Sequence, residues 1–173
     1  PTPQPVNLPG RSEVVERMKA IMERDGVICA TGGDFRHWFH QLRCPDTINA
    51  LFGLRSGAKN YVWSCLPMCW SWSPLLAQAT AWAFLAARED DQLPVFDEEV
   101  WQEGRSTGLP RFVATPSGKG FVCVYYDNYL CVSSDWREVQ AFDKRVRCNA
   151  ERFNVCIKDG SAFICSHDAL QKG

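Results

Sequence analysis

The sequence predicts an α+β fold: a mostly antiparallel, ferredoxin-like β-sheet of the split βαβ kind with helices on one face. First, residues 12–25, 73–87 and 136–153 carry apolar side chains at helical spacing. Second, short apolar runs separated by turn residues fill much of the remaining chain, a pattern typical of β-hairpins. Third, 173 residues are enough for one domain with a well-buried core.

The composition is that of an ordinary globular protein, with 46% hydrophobic and 23% charged residues. Because the formal net charge is −1, any nucleic-acid contact must come from a local basic patch. The nine cysteines are an odd number. Several lie in apolar segments, where a thiol behaves as a small buried hydrophobe: Cys29, Cys123, Cys131 and Cys156. No stretch approaches the roughly 20 apolar residues of a membrane span, so we expect an intracellular protein, cytoplasmic or nuclear, without a membrane partner.

The first part of the chain predicts an extended segment, a helix and a strand. Residues 1–11 are proline-rich and are expected to be extended. Ser12 can cap a helix that ends at residues 25–26 (Asp-Gly), because the apolar residues between them fall on one face. VICAT, residues 27–31, predicts a short buried strand that leads into Gly-Gly-Asp at 32–34.

The middle of the chain predicts a hairpin, a helix and a long loop. Residues 51–55 and 60–66 flank the turn sequence SGAK, as the strands of a hairpin do. Ser73 and Pro74 favour a helix start, because proline is tolerated in the first helical turn. Residues 88–120 are acidic and then contain several glycines and prolines, and we interpret them as a surface insertion or long loop.

The last part of the chain predicts two hairpins with a helix between them. Residues 121–134 are an apolar run broken by Asp127 and Asn128, a pair that suits a tight turn. After the helix, FNVCI (153–157) and SAFIC (161–165) flank KDG and predict a closing hairpin. The predicted domain therefore spans residues 12–165, followed by a tail at 166–173.

Asp34 and Asp127 are the candidate catalytic residues. Asp34 follows a strand and two glycines, and Asp127 lies at the tip of a hairpin. If these strands are neighbours in one sheet, both carboxylates lie at one edge. Converging carboxylates are hard oxygen ligands for Mg²⁺, and two-metal sites use such ions to stabilise a phosphoryl transfer. Taken alone, the spacing also allows a helix cap and an ordinary turn residue.

Three motifs resemble, in order, those of the reverse transcriptase palm. GDFRHWFHQL (33–42) resembles the segment that opens with the metal-binding aspartate. YVWSCLPMCWSWSPLLAQ (61–78) resembles the Leu-Pro-x-Gly-Trp-x-x-Ser-Pro segment that leads into the palm helix, and VYYDNYLCVSS (124–134) is similar to the Tyr-x-Asp-Asp hairpin. LPGRSEVVERMKAIM (8–22) also resembles the segment that precedes the first motif. The resemblance covers about residues 8–165 and implies the palm and part of the fingers of a retroelement RNA-directed DNA polymerase.

The resemblance implies a set of site residues. Asp34 and Asp127, with the amide oxygen of Asn128, would hold two Mg²⁺ ions, for which Mn²⁺ is a possible substitute. Phe39 would stack beneath the sugar of the incoming nucleotide, and the backbone N–H groups of residues 35–38 would face its triphosphate. The other residues assigned to nucleotide or template binding are Phe35, Arg36, His37, Trp38, Met68, Cys69, Trp70, Tyr126 and Lys158.

The same resemblance gives further residues a role around the pocket. Lys158 would be the lysine of a later hairpin of the family. Gln41 would be a pocket or packing residue, and Gln78 is expected to face solvent on its helix. The residues expected to shape the nucleotide and template pocket are Leu66, Pro67, Trp70, Ser73 and Pro74.

Several departures from the family pattern favour a second hypothesis. Asn128 replaces the second aspartate of the hairpin, Cys69 stands in place of a glycine, and Trp72 replaces a small residue. Met68 and His37 also differ from residues common at their positions. The alternative function is a domesticated or decayed relative, catalytically inactive, that serves as a scaffold for nucleic acid or protein.

The partners implied by the resemblance are a primer–template nucleic acid and a deoxynucleoside triphosphate. Nothing after residue 165 resembles a thumb or a ribonuclease H domain. A palm alone makes few of the phosphate contacts that hold a duplex. We therefore expect the remainder of a longer polyprotein, or a partner chain, to complete the enzyme.

Other arrangements of the same residue types have less support in the sequence. A zinc site of Cys65, Cys69, Cys165 and His167 matches no usual ligand spacing. A Cys69 nucleophile paired with a histidine has no third orienting group. The tryptophans could stack on bases, although the sequence favours core positions for Trp63 and Trp82.

Overall fold

The computed structural model describes residues 2–3, 5–89, 92–158 and 161–166, and it is an α+β structure built on an antiparallel sheet. In chain order its elements are α1 (Arg11–Asp25), β1 (Val27–Asp34), α2 (Trp38–Gln41), α3 (Asp46–Asn49), β2 (Gly53–Ser56), β3 (Lys59–Val62), α4 (Ser73–Ala86), α5 (Glu98–Thr107), β4 (Phe112–Ala114), β5 (Gly120–Tyr125), β6 (Asn128–Ser133), α6 (Trp136–Phe153) and β7 (Ser161–Ser166).

The main sheet has five strands in the order β4-β5-β6-β1-β7. Every neighbouring pair is antiparallel, and β1 pairs with β6 on one side and with β7 on the other. In the β1–β6 register, Ala30 lies opposite Val132 and Asp34 lies opposite Asn128. The prediction of a mostly antiparallel sheet is confirmed. β2 and β3 form a separate two-stranded hairpin, also as predicted.

The two faces of the sheet are covered by different helices, because alternate residues of a strand point to opposite faces. On one face Ile28, Ala30 and Phe121 pack with residues of α1. On the other face Cys29 and Val122 belong to the larger core formed with α4, α5 and α6. The prediction that helices lie on one face is therefore wrong: the N-terminal helix covers the opposite face.

Three predicted helices are confirmed with small shifts at their ends. α1 ends at Gly26, whose φ of 71° is left-handed, as glycine permits. α4 begins at Ser73 with proline in its first turn. α6 begins where the side chain of Asp135 accepts a hydrogen bond from the backbone N–H of Arg137. Among the described residues, no helix is both long enough and apolar enough to cross a membrane.

Residues 88–120 are more than the predicted surface insertion. In their described part they form α5 and β4, and β4 extends the main sheet by pairing with β5. Val95, Phe96 and Trp101 are at most 7% exposed and join the larger core. Glu98, Glu99 and Glu103 of α5 are exposed, while these apolar residues pack onto the domain, so the described part of the segment is not a free loop.

Two local predictions at the strand ends are also corrected. The β5–β6 turn consists of Tyr126 and Asp127, because Tyr125 pairs with Asn128 in the register. The predicted strand at 153–157 does not form: α6 runs to Phe153 and is followed by Asn154 in a left-handed conformation. β7 does form, and it pairs with β1. The predicted KDG turn lies partly outside the described residues, and the predicted tail lies almost wholly outside them.

Candidate metal and nucleotide site

The two candidate catalytic aspartates lie at the same end of one antiparallel strand pair. Asp34 is the last residue of β1 and lies opposite Asn128, the first residue of β6. Asp127 precedes Asn128 in the turn, and its carbonyl oxygen accepts a hydrogen bond of 2.6 Å from the N–H of Phe35. Both aspartates are partly exposed. The pairing of β1 with the hairpin, on which the predicted convergence depends, is confirmed.

The glycine before Asp34 is required by close packing across the sheet. A Cβ atom at Gly33 would lie 2.7 Å from Cζ of Tyr129, its partner on β6. Tyr129 is 4% exposed and its ring is tilted against that of Phe35 at 5.2 Å. The buried ring has no room to move aside, so only glycine fits at residue 33.

Gln78 fixes the tip of the β5–β6 hairpin. It is fully buried on α4; its Nε2 donates to the Val124 carbonyl at 2.9 Å, and its Oε1 accepts from the Tyr126 N–H at 2.7 Å. The prediction that Gln78 faces solvent is wrong. Helical spacing was the signal available in the sequence, because Trp82 and Leu85, four and seven positions later, lie on the same buried face.

Tyr126 itself has a positive φ of 52°, which is uncommon for a residue with a side chain. Two hydrogen-bonded strands and the Gln78 amide therefore hold the turn in a conformation that the local sequence does not favour. Burial raises the pKa of the Tyr126 phenol. The predicted site residues Tyr126 and Phe39 are neighbours, with ring centroids 6.5 Å apart.

Lys158 contacts Asp34 twice. Its Nζ lies 3.0 Å from Oδ2 of Asp34, and its backbone N–H donates to the Asp34 carbonyl at 2.8 Å. The segment that carries Lys158 is tied down by Gln41: Oε1 accepts from the Cys156 N–H at 2.7 Å, and Nε2 donates to the Cys156 carbonyl at 2.9 Å. The same Nε2 lies 2.5 Å from the Arg36 carbonyl. Gln41 is thus a packing residue, one of the two roles expected for it.

Two of the residues assigned to ligand binding belong to the core. Phe35 and Trp38 are at most 2% exposed, and their rings stack with centroids 4.4 Å apart. The indole N–H of Trp38 donates to the carbonyl of Ala77. Neither side chain is accessible to a ligand in this structure, so any binding role of these two residues must come from their backbone N–H groups. Arg36 and His37, between them, are exposed.

The prediction that the backbone N–H groups of residues 35–38 face a triphosphate is wrong for the first two. The N–H of Phe35 donates to Asp127, and that of Arg36 donates to the carbonyl of Cys156 at 3.0 Å. The N–H groups of His37 and Trp38 lie at the start of α2. Any phosphate contact from this backbone is therefore limited to those two groups.

The loop before α4 is shaped by its own contacts. Leu66 and Pro67 are buried, and the Ser73 hydroxyl donates to the Pro67 carbonyl. Trp70 packs its edge against Phe52, with ring centroids 5.4 Å apart. Among the other predicted binding residues here, Met68 is 68% exposed and Cys69 is also exposed.

Trp70 and Trp72 line an apolar cavity of about 400 Å³ that extends between α3 and α4. The predicted core position is correct for Trp82, which is fully buried, and wrong for Trp63, which is 39% exposed. Cys156, predicted to be buried, is exposed. His167, a ligand in the zinc alternative, lies outside the described residues.

The oxygen atoms at the site are of the type that Mg²⁺ prefers. Asp34, Asp127 and Asn128 offer hard oxygen donors on partly open strand ends, and magnesium is often held by one or two carboxylates, waters and substrate phosphates. Among the described residues, no group of three or more histidine, cysteine or acidic side chains could form a metal site by itself. In this structure the Asn128 Nδ2 donates to Oδ1 of Asp127 at 3.1 Å.

Comparison with known proteins does not assign the chain to a family. No protein-family model matches the sequence, and a search of curated proteins finds no match. Function is therefore inferred from the positions of the side chains and from the motifs that the sequence contains.

Proposed function

We propose that this chain is the palm, with part of the fingers, of a retroelement reverse transcriptase, and that it takes part in template-directed DNA synthesis. The observation that carries the proposal is the β1–β6 register, in which Asp34 lies opposite Asn128 and next to the Asp127 turn. Two carboxylates from strands distant in sequence thus share one end of an antiparallel sheet. The three reverse-transcriptase-like motifs supply the residues of this sheet end and of the helix behind it.

In the proposed reaction, Asp34 and Asp127 would hold two Mg²⁺ ions, with Asn128 as an uncharged oxygen donor. The ions, when bound, supply charge neutralisation for the transferred phosphoryl group and activation of the primer 3′-oxygen. The protein contributes position: β1 and β6 fix the two backbones, and the glycine at residue 33 brings Tyr129 against the sheet. Positioning and electrostatic stabilisation are the main terms in phosphoryl transfer, so a fixed pair of carboxylates is the central requirement.

The neighbouring residues have supporting roles in this proposal. Gln78 is a positioning residue, because its amide holds the Val124–Tyr126 backbone that leads to Asp127. Phe39, half-buried beside Tyr126, would form the floor beneath the sugar. Arg36 is exposed two residues after Asp34 and would face the phosphates.

The test is template-dependent extension of a labelled primer by the intact protein that contains this chain. Asp127→Asn removes one carboxylate and keeps its size, so we expect extension in Mg²⁺ or Mn²⁺ to fall below detection. The matched control is Asp46→Asn at the exposed start of α3, which should extend as the wild type does. Extension that persists in Asp127→Asn would contradict the proposal.

A decayed, inactive scaffold is the second candidate, and one observation favours it. The Asn128 amide already donates to Asp127, and the Lys158 ammonium already pairs with Asp34, so both carboxylates have internal partners. This hypothesis predicts no template-dependent extension at any Mg²⁺ or Mn²⁺ concentration by folded wild-type protein. It also predicts that Asp127→Asn leaves all binding by the protein unchanged.

A further inference from the structure

We propose that the β2–β3 hairpin is a binding platform for single-stranded nucleic acid, and that the bound strand continues over His40 and His37 toward Asp34. The name "hairpin platform" refers here to the exposed face formed by Leu54, Lys59, Tyr61 and Trp63. The platform would bind the strand whether or not the aspartates catalyse a reaction.

The first argument is that this hairpin is exposed along its whole length. Every residue of β2 and β3 is exposed, and the two strands form a sheet separate from the main one. A two-stranded hairpin with neither face covered is only marginally stable in water. Leu54, Tyr61 and Val62 are nevertheless 45%, 48% and 62% exposed, which favours a surface that receives a partner.

The second argument is the register of the hairpin, which gathers aromatic and basic groups on one face. Leu54 lies opposite Tyr61, and Ser56 lies opposite Lys59. Because side chains alternate along a strand, Lys59, Tyr61 and Trp63 point to the same side, with about 6–7 Å between successive positions. Two rings and an ammonium group at that spacing can each contact one nucleotide of an unstacked strand.

The third argument is a line of three rings that runs from the hairpin platform to His37. The ring of Trp63 lies 6.5 Å from that of His40, and His40 lies 6.2 Å from His37, between centroids. The Trp63 N–H donates to the Phe52 carbonyl at 3.0 Å, which extends the β2–β3 ladder by one residue pair. His37 is three residues from Asp34. A strand stacked along these rings would therefore reach the candidate metal site.

The fourth argument is charge, which identifies the occupant as a polyanion. From Arg36 to Lys59 the sequence contains four lysine or arginine residues and one acid, Asp46. A later segment, 89–104, has seven acids and no lysine or arginine. The segment that carries the hairpin platform is therefore locally basic, although the chain as a whole is nearly neutral. An apolar protein partner would explain the exposed leucine and valine but not this local positive charge.

The experiment measures binding of fluorescent oligo(dT) and oligo(rU), each of about 20 nucleotides, by anisotropy at low salt. We expect both to bind the wild type and duplex DNA of equal length to bind more weakly. The double variant Tyr61→Ala, Trp63→Ala should bind at least about tenfold more weakly, since each stacked base contributes about five- to hundredfold in affinity. Trp63→Phe should retain most of the binding. Phe153→Ala, which removes an exposed aromatic ring on α6, is the matched control.

The salt dependence of binding and the location of the bound strand provide two further tests. Lys59→Ala should reduce the slope of log affinity against log salt by about 0.7, the value for one contact to a single strand. Bound oligonucleotide should slow amide hydrogen exchange at residues 59–63. Equal affinity of wild type and the double aromatic variant would overturn the proposal. So would a dimer, seen by light scattering, that the same double variant abolishes.

The result of this binding experiment does not depend on whether the chain has polymerase activity. Asp127→Asn, measured without divalent cations, should bind oligonucleotide at least as tightly as the wild type, because it keeps every residue of the hairpin platform and removes a negative charge near the path of the strand. An inactive enzyme that still binds through the hairpin platform would reject catalysis alone. Primer extension by the wild type, together with an oligonucleotide affinity that the double aromatic substitution leaves unchanged, would contradict the platform alone.

Discussion

Lys158 and Asp34 are joined at two levels: the ammonium lies 3.0 Å from the carboxylate, and the lysine N–H donates to the aspartate carbonyl. The backbone bond keeps the lysine beside the aspartate, while the side chain can rotate away because it is 54% exposed. A divalent cation at Asp34 must therefore displace, or lie beside, a positive charge that the fold itself supplies.

Replacing this lysine should strengthen divalent-cation binding. We expect Lys158→Gln to bind Mn²⁺ about two- to fivefold more tightly than the wild type, the range that a half-exposed ion pair allows. Electron paramagnetic resonance of free Mn²⁺ at low ionic strength measures this directly. Lys144→Gln on the exposed side of α6 is the control. Unchanged Mn²⁺ affinity in Lys158→Gln would show that the ammonium does not compete at this site.

Gln78 should matter for stability as well as for the site. Gln78→Leu leaves the Val124 carbonyl and the Tyr126 N–H without their partner, and we expect a loss of about 2–4 kcal/mol in the free energy of unfolding. Urea denaturation measures the loss. Gln140→Leu, at an exposed position of α6, should change stability by less than about 0.5 kcal/mol. Equal effects of the two substitutions would show that the buried amide bonds contribute little.

Trp38 should behave as a core residue. Trp38→Ala removes a ring that is 2% exposed and should lower the free energy of unfolding by about 3–5 kcal/mol. Met68→Ala, at an exposed position in the loop before α4, should cost less than about 0.5 kcal/mol. Thermal or urea unfolding distinguishes the two. A stable Trp38→Ala protein with impaired nucleotide binding would instead show that the indole ring itself takes part in binding.

Stability should decline at alkaline pH because of a buried thiol. Burial raises the pKa of Cys123 to about 12, whereas the thiol of an unfolded chain titrates at about 8.5. Between these values the folded state retains a proton that the unfolded state has lost. The free energy of unfolding should therefore fall as pH rises through this window, by up to about 1.4 kcal/mol per pH unit for this thiol.

The variant Cys123→Ala tests this origin of the pH dependence. Its unfolding free energy should be lower at neutral pH, but it should decline less steeply between about pH 8.5 and 12 than that of the wild type. Cys148→Ala removes an exposed thiol and should keep the wild-type slope. Urea midpoints at several pH values provide the measurement. Parallel curves for the wild type and Cys123→Ala would assign the alkaline sensitivity to other groups.

The sequence correctly predicted those helices and strands that have a long and regular pattern of hydrophobic residues. α1 ends at a left-handed glycine, α4 begins with Ser-Pro and α6 has a side-chain cap at Asp135, whereas the predicted Ser12 cap of α1 does not form. The strands at 27–34 and 120–133 have glycines or turn residues at their ends. The end of α6 was harder to place, because FNVCI fits a strand as well as the last turn of a helix. The left-handed conformation of Asn154 decides between them, and it is not visible in a hydrophobic pattern.

The errors arose where tertiary contacts override local composition. The acidic residues around Val95, Phe96 and Trp101 suggested a surface loop, although the apolar side of α5 packs onto the core. Gln78 was assigned to solvent because glutamine is usually exposed, yet two backbone groups of the hairpin satisfy its amide. Phe35 follows a motif aspartate but faces inward. A motif identifies the acids of a site more reliably than the directions of the residues beside them.

The close fit between Gly33 and Tyr129 also limits where an acidic residue can lie on β1. An acid moved one residue back along β1 would collide with the tyrosine ring and would point to the other side of the sheet. If β1 slipped by one residue so that Asp34 took the place of Gly33, the carboxylate would both collide with the tyrosine ring and point to the opposite face of the sheet. On this strand an acid can therefore occupy residue 34 but not residue 33 without disturbing the buried tyrosine ring.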